Sequence, residues 1–226
     1  MKKTFTLCLF FVLFCTVAFC QDILTAGAFF QSVSEYYGTL NDYESSITII
    51  ADNKKTEMTG RVSFKRPNLL RIDFSKPDTQ VICFNGNTLT VYLPGSRAIF
   101  NQEVSSSGSS AGANLATPQG LILLSRYYSV AYETGPQAVP LDEGNPEHVI
   151  KLLLSRKTNS EGFRTIKLSI NPDTKLIRRI EATSVNNENF VFNFTNYALN
   201  QNIPDTRFLY DAPSSANTYN NFLYTE

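Results

Sequence analysis

The sequence predicts one mainly antiparallel β domain, a meandering sheet or barrel with two helices. Three observations carry this reading. Apolar and polar residues alternate with a period of two in several segments, as at Met58, Gly60, Val62 and Phe64 against Thr59, Arg61, Ser63 and Lys65. Turn signals separate these segments at intervals of roughly eight to twelve residues. Asn85-Gly86 falls between two apolar runs, the strongest short-range signal for a hairpin.

The first twenty residues stand apart from the fold. Lys2 and Lys3 precede an apolar stretch from Phe5 to Phe19, and Gln21 and Asp22 follow it. This is the layout of a secretory signal, and a stretch of about fifteen apolar residues is short for a membrane span of ~20. Cleavage after Cys20 leaves a single domain, residues 21–226, with 18 basic and 20 acidic residues and a net charge of −2. Cys20 allows a second outcome, acylation at the cut as in lipoproteins, although the bulky Phe19 before it departs from the usual pattern. With no basic stripe and no binding motif, nucleic acid is not an expected partner.

Asp22 to Gly38 reads as a helix, with Ile23, Ala26, Phe29, Phe30, Val33 and Tyr37 near helical spacing and Gly38 as the stop. Strands follow over Tyr43–Ala51 and Thr56–Lys65, joined by an Asp-Asn-Lys-Lys turn. After Pro67-Asn68, Leu70, Ile72 and Phe74 share one face of a third strand. Past the turn at Lys76-Pro77-Asp78, "TQVICF" pairs across Asn85-Gly86 with "NTLTVYLP". Ser105 to Asn114 is low in complexity and is expected to form a mobile loop. Thr117 then suits an N-cap and Pro118 the first helical position. Leu121, Leu124 and Tyr128 line one face of this second helix, with Ile122 and Leu123 beside them. Strands resume at "YYSVAYE", "HVIKLLLSRK", "FRTIKLSIN", "LIRRIEATSV" and "FVFNFTNYAL", the last with Phe190, Phe192 and Phe194 on one face. "QNIPDTRFLYDAPSSA" is expected to close the sheet, and the last ten residues to form a loose tail. The expected total is ten or eleven strands.

Catalytic spacing is absent. The sequence holds no Cys-x-x-Cys or His-x-x-His pair for zinc, no G-x-S-x-G elbow and no phosphate-cradling glycine loop. Cys83, within "VICF", reads as a small core residue, and His148 falls in a Pro/Gly/Glu-rich loop. Asn193 begins a glycosylation sequon, but inside a strand. The expectation is a protein that is not an enzyme, with no cofactor and no metal.

One stretch carries more. "VSFKRPNLLRIDFSKPDTQVICFNGNTLTVYLP", with "TPQGLILLSR" and the C-terminal run "SINPDTKLIRRIEATSVNNENFVFNFTNYALNQNIPDTRFLYDAP", resembles the LolA family of periplasmic lipoprotein carriers. The most specific part is Lys65-Arg66-Pro67-Asn68. The resemblance implies an unclosed antiparallel β-barrel of about eleven strands whose mouth is plugged and lidded by helices, enclosing an apolar hollow for acyl chains. It implies a chaperone for lipoprotein transport in the periplasm, which takes acylated lipoproteins from an inner-membrane ABC transporter to the outer membrane, with or without a receptor there, and works as a monomer. It also implies that Arg66 holds the empty carrier shut by bonding lid-helix carbonyls. A guanidinium has five fixed donors and suits that task better than an ammonium; without the motif Arg66 would read as a solvated strand-end charge. Phe64, Leu70, Ile72, Phe74, Leu121 and Leu124 are candidates to line the acyl-chain pocket, with ordinary core as the alternative reading of each. Leu70 stands where family members often have Phe, and Thr90 where Trp is common. Three rivals remain: a LolB-like outer-membrane receptor acylated at Cys20, a sensor of the RseB type, and a secreted hydrolase.

Overall fold

A computed structural model describes residues 24–51, 56–104 and 118–221. The signal sequence with Cys20, Asp22 and Ile23, the turn at residues 52–55, the Ser105–Asn114 loop, Thr117 and residues 222–226 lie outside these. In the described residues one continuous sheet carries thirteen strands, β1 (Asp42–Ala51), β2 (Thr56–Lys65), β3 (Leu69–Lys76), β4 (Val81–Phe84), β5 (Thr88–Leu93), β6 (Ala98–Glu103), β7 (Tyr128–Tyr132), β8 (Val139–Pro140), β9 (His148–Arg156), β10 (Phe163–Ile170), β11 (Ile177–Ser184), β12 (Asn189–Leu199) and β13 (Asn217–Asn220). Helix α1 spans Ala26–Thr39 and α2 spans Pro118–Tyr127.

The spatial order is β13-β6-β5-β4-β3-β2-β1-β12-β11-β10-β9-β7, with β8 beside β9. Two meanders therefore meet where β1 pairs with β12, and the outer strands β13 and β7 do not pair with each other. The sheet is mainly antiparallel and unclosed. Among the described residues only the β13–β6 pairing is parallel.

The period of two makes this sheet two-faced. Ile47 lies opposite Gly60 and Phe194, and Ile49 opposite Met58 and Phe192. Farther along, Leu168 lies opposite Leu152 and Ile180. Ile47, Ile49, Phe194, Leu152 and Leu168 belong to one apolar cluster, with Met58, Phe192 and Ile180 packed against it, and it also takes in Phe29, Phe30, Val33 and Tyr37 of α1 and Leu121 and Leu124 of α2. The two helices thus cover the apolar face, and neither could bury its stripe without the sheet. Gly60 is required where β2 crosses β3, because a Cβ there would run into the Asp73 carbonyl oxygen and come within 3.0 Å of the Phe74 Cα.

Several elements differ from the sequence reading. Helix α1 begins at Ala26 instead of Asp22: the Thr25 hydroxyl accepts the Ala28 N–H and caps the helix, a role that Thr fills well. β6 and the two-residue β8 add strands with no clear alternation. Residues 201–216 do not close the sheet as a strand. They run as a strap with one 3-10 turn, Asp205–Phe208, across the face opposite the helices. The chain end is not a loose tail throughout, since Asn217–Asn220 forms β13 and Tyr219 stacks on Phe100 at 5.3 Å. His148 is the first residue of β9 and not part of the preceding loop. Ser63, on the polar side of the alternation, is fully buried, and its hydroxyl is satisfied by donating to Glu44.

Candidate functional site

The turn from β2 to β3 brings Lys65 and Arg66 to the rim of the helix-covered face, where alternation sends them to different tasks. The Arg66 amide donates to Asn41 O at 2.9 Å, which fixes the backbone. Its guanidinium Nη2 donates to the carbonyl of Gly38, in the last turn of α1. The last carbonyls of a helix have no intrahelical partner and carry the negative end of its dipole, so a cation there is doubly favoured. The neighbouring carbonyls are taken as well: Tyr36 O by the Thr39 hydroxyl at 2.7 Å and Tyr37 O by the Leu40 amide at 3.3 Å. Lys65 turns the other way and donates to Ile203 O at 2.6 Å and to the Asp205 carboxylate, holding the strap.

Arg66 is one of several fastenings. The Tyr132 hydroxyl of β7 donates to Leu24 O at 2.6 Å, just before α1, and the Lys175 ammonium sits 4.8 Å from the centre of the Phe29 ring. Lys157, in the turn after β9, donates to Ser125 O and Arg126 O, both at 3.1 Å. A cation therefore closes the C-terminal end of each helix, and Lys157 is the one that engages two carbonyls. Sequence reasoning missed Lys157, since a lysine in a polar turn carries no distinguishing signal.

Under the helices a small gap is lined by aromatic and aliphatic side chains. Between Tyr37, Tyr43, Leu121, Ile177, Ile180, Phe194 and Tyr197 the cavity measures about 10 Å3, near the lower limit for a single water. Of the pocket candidates, Phe64, Leu70, Phe74, Leu121 and Leu124 are buried in the single apolar cluster, and Ile72 packs against it half-buried. The fold brings all six together on the helix-covered side of the sheet.

Three tyrosines line that gap, of which the sequence reading had placed Tyr37 on the helix stripe. Tyr43 meets Tyr37 edge-on at 6.0 Å, Phe64 at 5.2 Å and Tyr197 at 5.9 Å. Burial pushes the Tyr37 hydroxyl up to about 12, and it lifts those of Tyr43 and Tyr197 well above the usual value. All three are neutral donors and acceptors at ordinary pH. Their signal in the sequence was slight. Tyr197 breaks the even-numbered run Phe190, Phe192, Phe194, as a bulge would make it do.

On the opposite face the strap covers a second, smaller core. Arg71 lies alongside both Asp73 oxygens and donates to Arg207 O and Leu209 O at 3.1 and 3.2 Å, while Arg207 donates back to Asp73. Cys83 is buried there with its Sγ 3.2 Å from Phe208 O, and burial pushes its thiol up, away from the thiolate a nucleophile needs. His148 is exposed, with its Nδ1 3.0 Å from Pro146 O. A groove of about 350 Å3 on the helix-free face runs over Ile50, Lys167, Glu181 and Val191, with Lys167 paired to Glu133 at 2.6 Å. Among the described residues no three His, Cys, Asp or Glu side chains gather as a metal site.

Comparison with known proteins gives three kinds of result. The family model described as "Outer membrane lipoprotein carrier protein LolA" matches residues 48–211. No curated protein matches the sequence. Among solved structures, an uncharacterised conserved protein from Thermus thermophilus is similar at a TM-score of 0.55 and 13% identity, over 84% of this chain and 98% of that one. MucB of Pseudomonas aeruginosa, solved in complex with MucA, is similar at a TM-score of 0.50 and 12% identity; this chain is covered over 85%, but spans only 62% of the matched chain. A LolA superfamily protein from Nitrosomonas europaea aligns at a TM-score of 0.43 and 15% identity, over 82% of this chain and 98% of that one. Identities this low speak to the fold alone.

Proposed function

The chain belongs to the LolA family, and from that premise we propose that it shields the acyl chains of lipoproteins in the periplasm and carries them from the inner to the outer membrane. In this reading the secreted part, from Gln21 on, is a single carrier domain that does no covalent chemistry. It receives acylated lipoproteins from an inner-membrane ABC transporter and delivers them at the outer membrane.

The observation that supports this best is the fastening of two apolar helices over an apolar sheet face by a few polar contacts at their ends, Arg66 to Gly38 O foremost. Three acyl chains carry on the order of 40 methylenes, and at ~0.8 kcal/mol per buried CH2 their transfer through water would cost tens of kcal/mol. A carrier with no energy source of its own must bind them by contacts that can be exchanged. In the empty state Phe29, Phe30, Leu121 and the tyrosines shelter one another, and cargo takes over their contacts when α1 and α2 move aside. Arg66 is the closing contact, with Phe64, Leu70, Ile72, Phe74, Leu121 and Leu124 on the surface that opening would expose.

The test is co-elution. The purified secreted chain, mixed with a triacylated lipoprotein as detergent is diluted away, should leave a gel-filtration column with it as a soluble complex. The same lipoprotein after enzymatic deacylation should elute alone. Equal co-elution of both forms, or of neither, removes the carrier reading. The mass of the mature N-terminus then separates a free carrier from a receptor acylated at Cys20.

A further inference from the structure

Three groups at the Arg66 end of α1 form a closed ring of hydrogen bonds inside the apolar interior. The Ile177 amide donates to the Tyr37 hydroxyl at 3.0 Å, and the Tyr197 hydroxyl donates to Ile177 O at 2.8 Å. The Tyr197 proton is thereby spent, so the 3.5 Å contact between the two hydroxyls has Tyr37 as its donor. Two sides of this ring belong to the sheet, and the third, Tyr37, belongs to the helix. Tyr37 directly precedes Gly38, whose carbonyl Arg66 holds.

A further polar group on the helix-covered face of the sheet has no partner. The Ser45 hydroxyl is buried, at 2% exposure, and makes no hydrogen bond. The register of β1 on β12 passes from Glu44–Ala198 to Ser46–Thr195, which sets Ser45 against the bulged pair Asn196 and Tyr197. Asn196 takes a positive φ of 53° to make that bulge. On β2, Ser45 lies opposite Val62, on the helix-covered side. A buried hydroxyl left unpaired is a standing cost in the closed shape.

When α1 lifts, Tyr37 leaves with it. The Ile177 N–H then faces an apolar site without an acceptor, and the Ser45 O–H without one still. A saturated hydrocarbon can satisfy neither, whereas a carbonyl oxygen can accept from both kinds of donor. We propose that the Ile177 N–H and the Ser45 hydroxyl form a carbonyl-binding subsite, uncovered as Tyr37 departs, which selects ester- or amide-linked acyl chains over plain hydrocarbon. The inference rests on the carrier reading and adds a chemical preference to it. Tyr37 acts on this site as an internal stand-in for the cargo carbonyl, since its oxygen occupies the acceptor position on Ile177 in the empty state. The neutral state of Tyr37 and Tyr197 at ordinary pH keeps the ring uncharged.

The test compares two lipids that differ only by the carbonyl, 1-monopalmitoylglycerol and its ether analogue 1-hexadecylglycerol, as competitors of a fluorescent fatty-acyl probe on the full secreted chain. The ester should bind about tenfold more tightly, the effect of one satisfied buried hydrogen bond. Tyr37→Phe keeps the ring and removes the stand-in, so both lipids should bind several-fold more tightly. Ser45→Ala should bring the ester-to-ether ratio toward one without lowering the melting temperature. The Ile177 amide should be protected from hydrogen exchange in the free protein and with the ester, and exchange faster with the ether. Equal affinities for ester and ether in the unaltered protein, with the same Ile177 protection, overturn the subsite and leave the carrier reading intact. Failure of the unaltered protein to bind either lipid overturns the carrier reading and the subsite with it.

Discussion

Replacing Arg66 by Leu removes the guanidinium that holds Gly38 O and leaves the Arg66 backbone bond to Asn41 O in place, so the turn itself should persist. The contact is one charged hydrogen bond at an exposed rim, on the negative end of a helix, and contributes about 1 kcal/mol. Against it stand the apolar side chains that α1 buries, chiefly Phe29, Phe30, Val33 and Tyr37. At about 1.5–3 kcal/mol each they hold the helix by roughly 6–12 kcal/mol. One acyl chain of on the order of 13 methylenes gains ~10 kcal/mol on burial, at ~0.8 kcal/mol per CH2. Those two large terms nearly cancel, which leaves a contact of ~1 kcal/mol able to decide whether the carrier stays closed. Arg66→Leu should therefore raise the open population about fivefold, by the usual 1.4 kcal/mol per factor of ten. Hydrogen exchange of the α1 amides reads this directly, and in a reconstituted transfer assay the variant should release lipoprotein more slowly. Unchanged α1 exchange, with normal transfer, would refute the closing role.

Other substitutions probe the remaining fastenings. Lys157→Ala removes the ammonium that donates to Ser125 O and Arg126 O at the end of α2; exchange of the α2 amides should rise a few-fold while α1 is unaffected, and the melting temperature should drop by only about 1–3 °C. Gly60→Ala forces a methyl group onto the Asp73 carbonyl and should destabilise by more than about 2 kcal/mol, seen as a lowered urea midpoint. At Asp73, burial would raise the carboxyl, but the hydrogen bonds from Arg71 and Arg207 outweigh it and hold the group below the usual range. A depressed carboxyl stabilises above its unfolded value of about 3.9 and loses that contribution as pH falls through the folded value. Asp73→Asn should accordingly lower the melting temperature at pH 7 and show a shallower further drop than the unaltered protein as pH falls below about 4.

The sequence by itself determined the fold class and most strands, because a sheet with one buried face writes its period of two into the chain. Met58, Gly60, Val62 and Phe64 could be assigned to one face before any coordinate, and so could Phe192 and Phe194. The Lys-Arg-Pro-Asn stretch identified the family for the same local reason: a motif is contiguous. Where local and long-range demands differ, the reading stopped short. β13 carries no alternation of its own and exists only because β6 offers an edge, and the strap at residues 201–216 has strand-like composition but is held by Lys65, Arg71 and Cys83 from distant strands. Whether six apolar residues enclose a hollow or a solid core depends on how α1 and α2 seat against the sheet, which no spacing encodes. The ring of Tyr37, Tyr197 and Ile177 joins residues up to 160 positions apart, so only the tertiary structure could decide that this apolar interior contains a polar point.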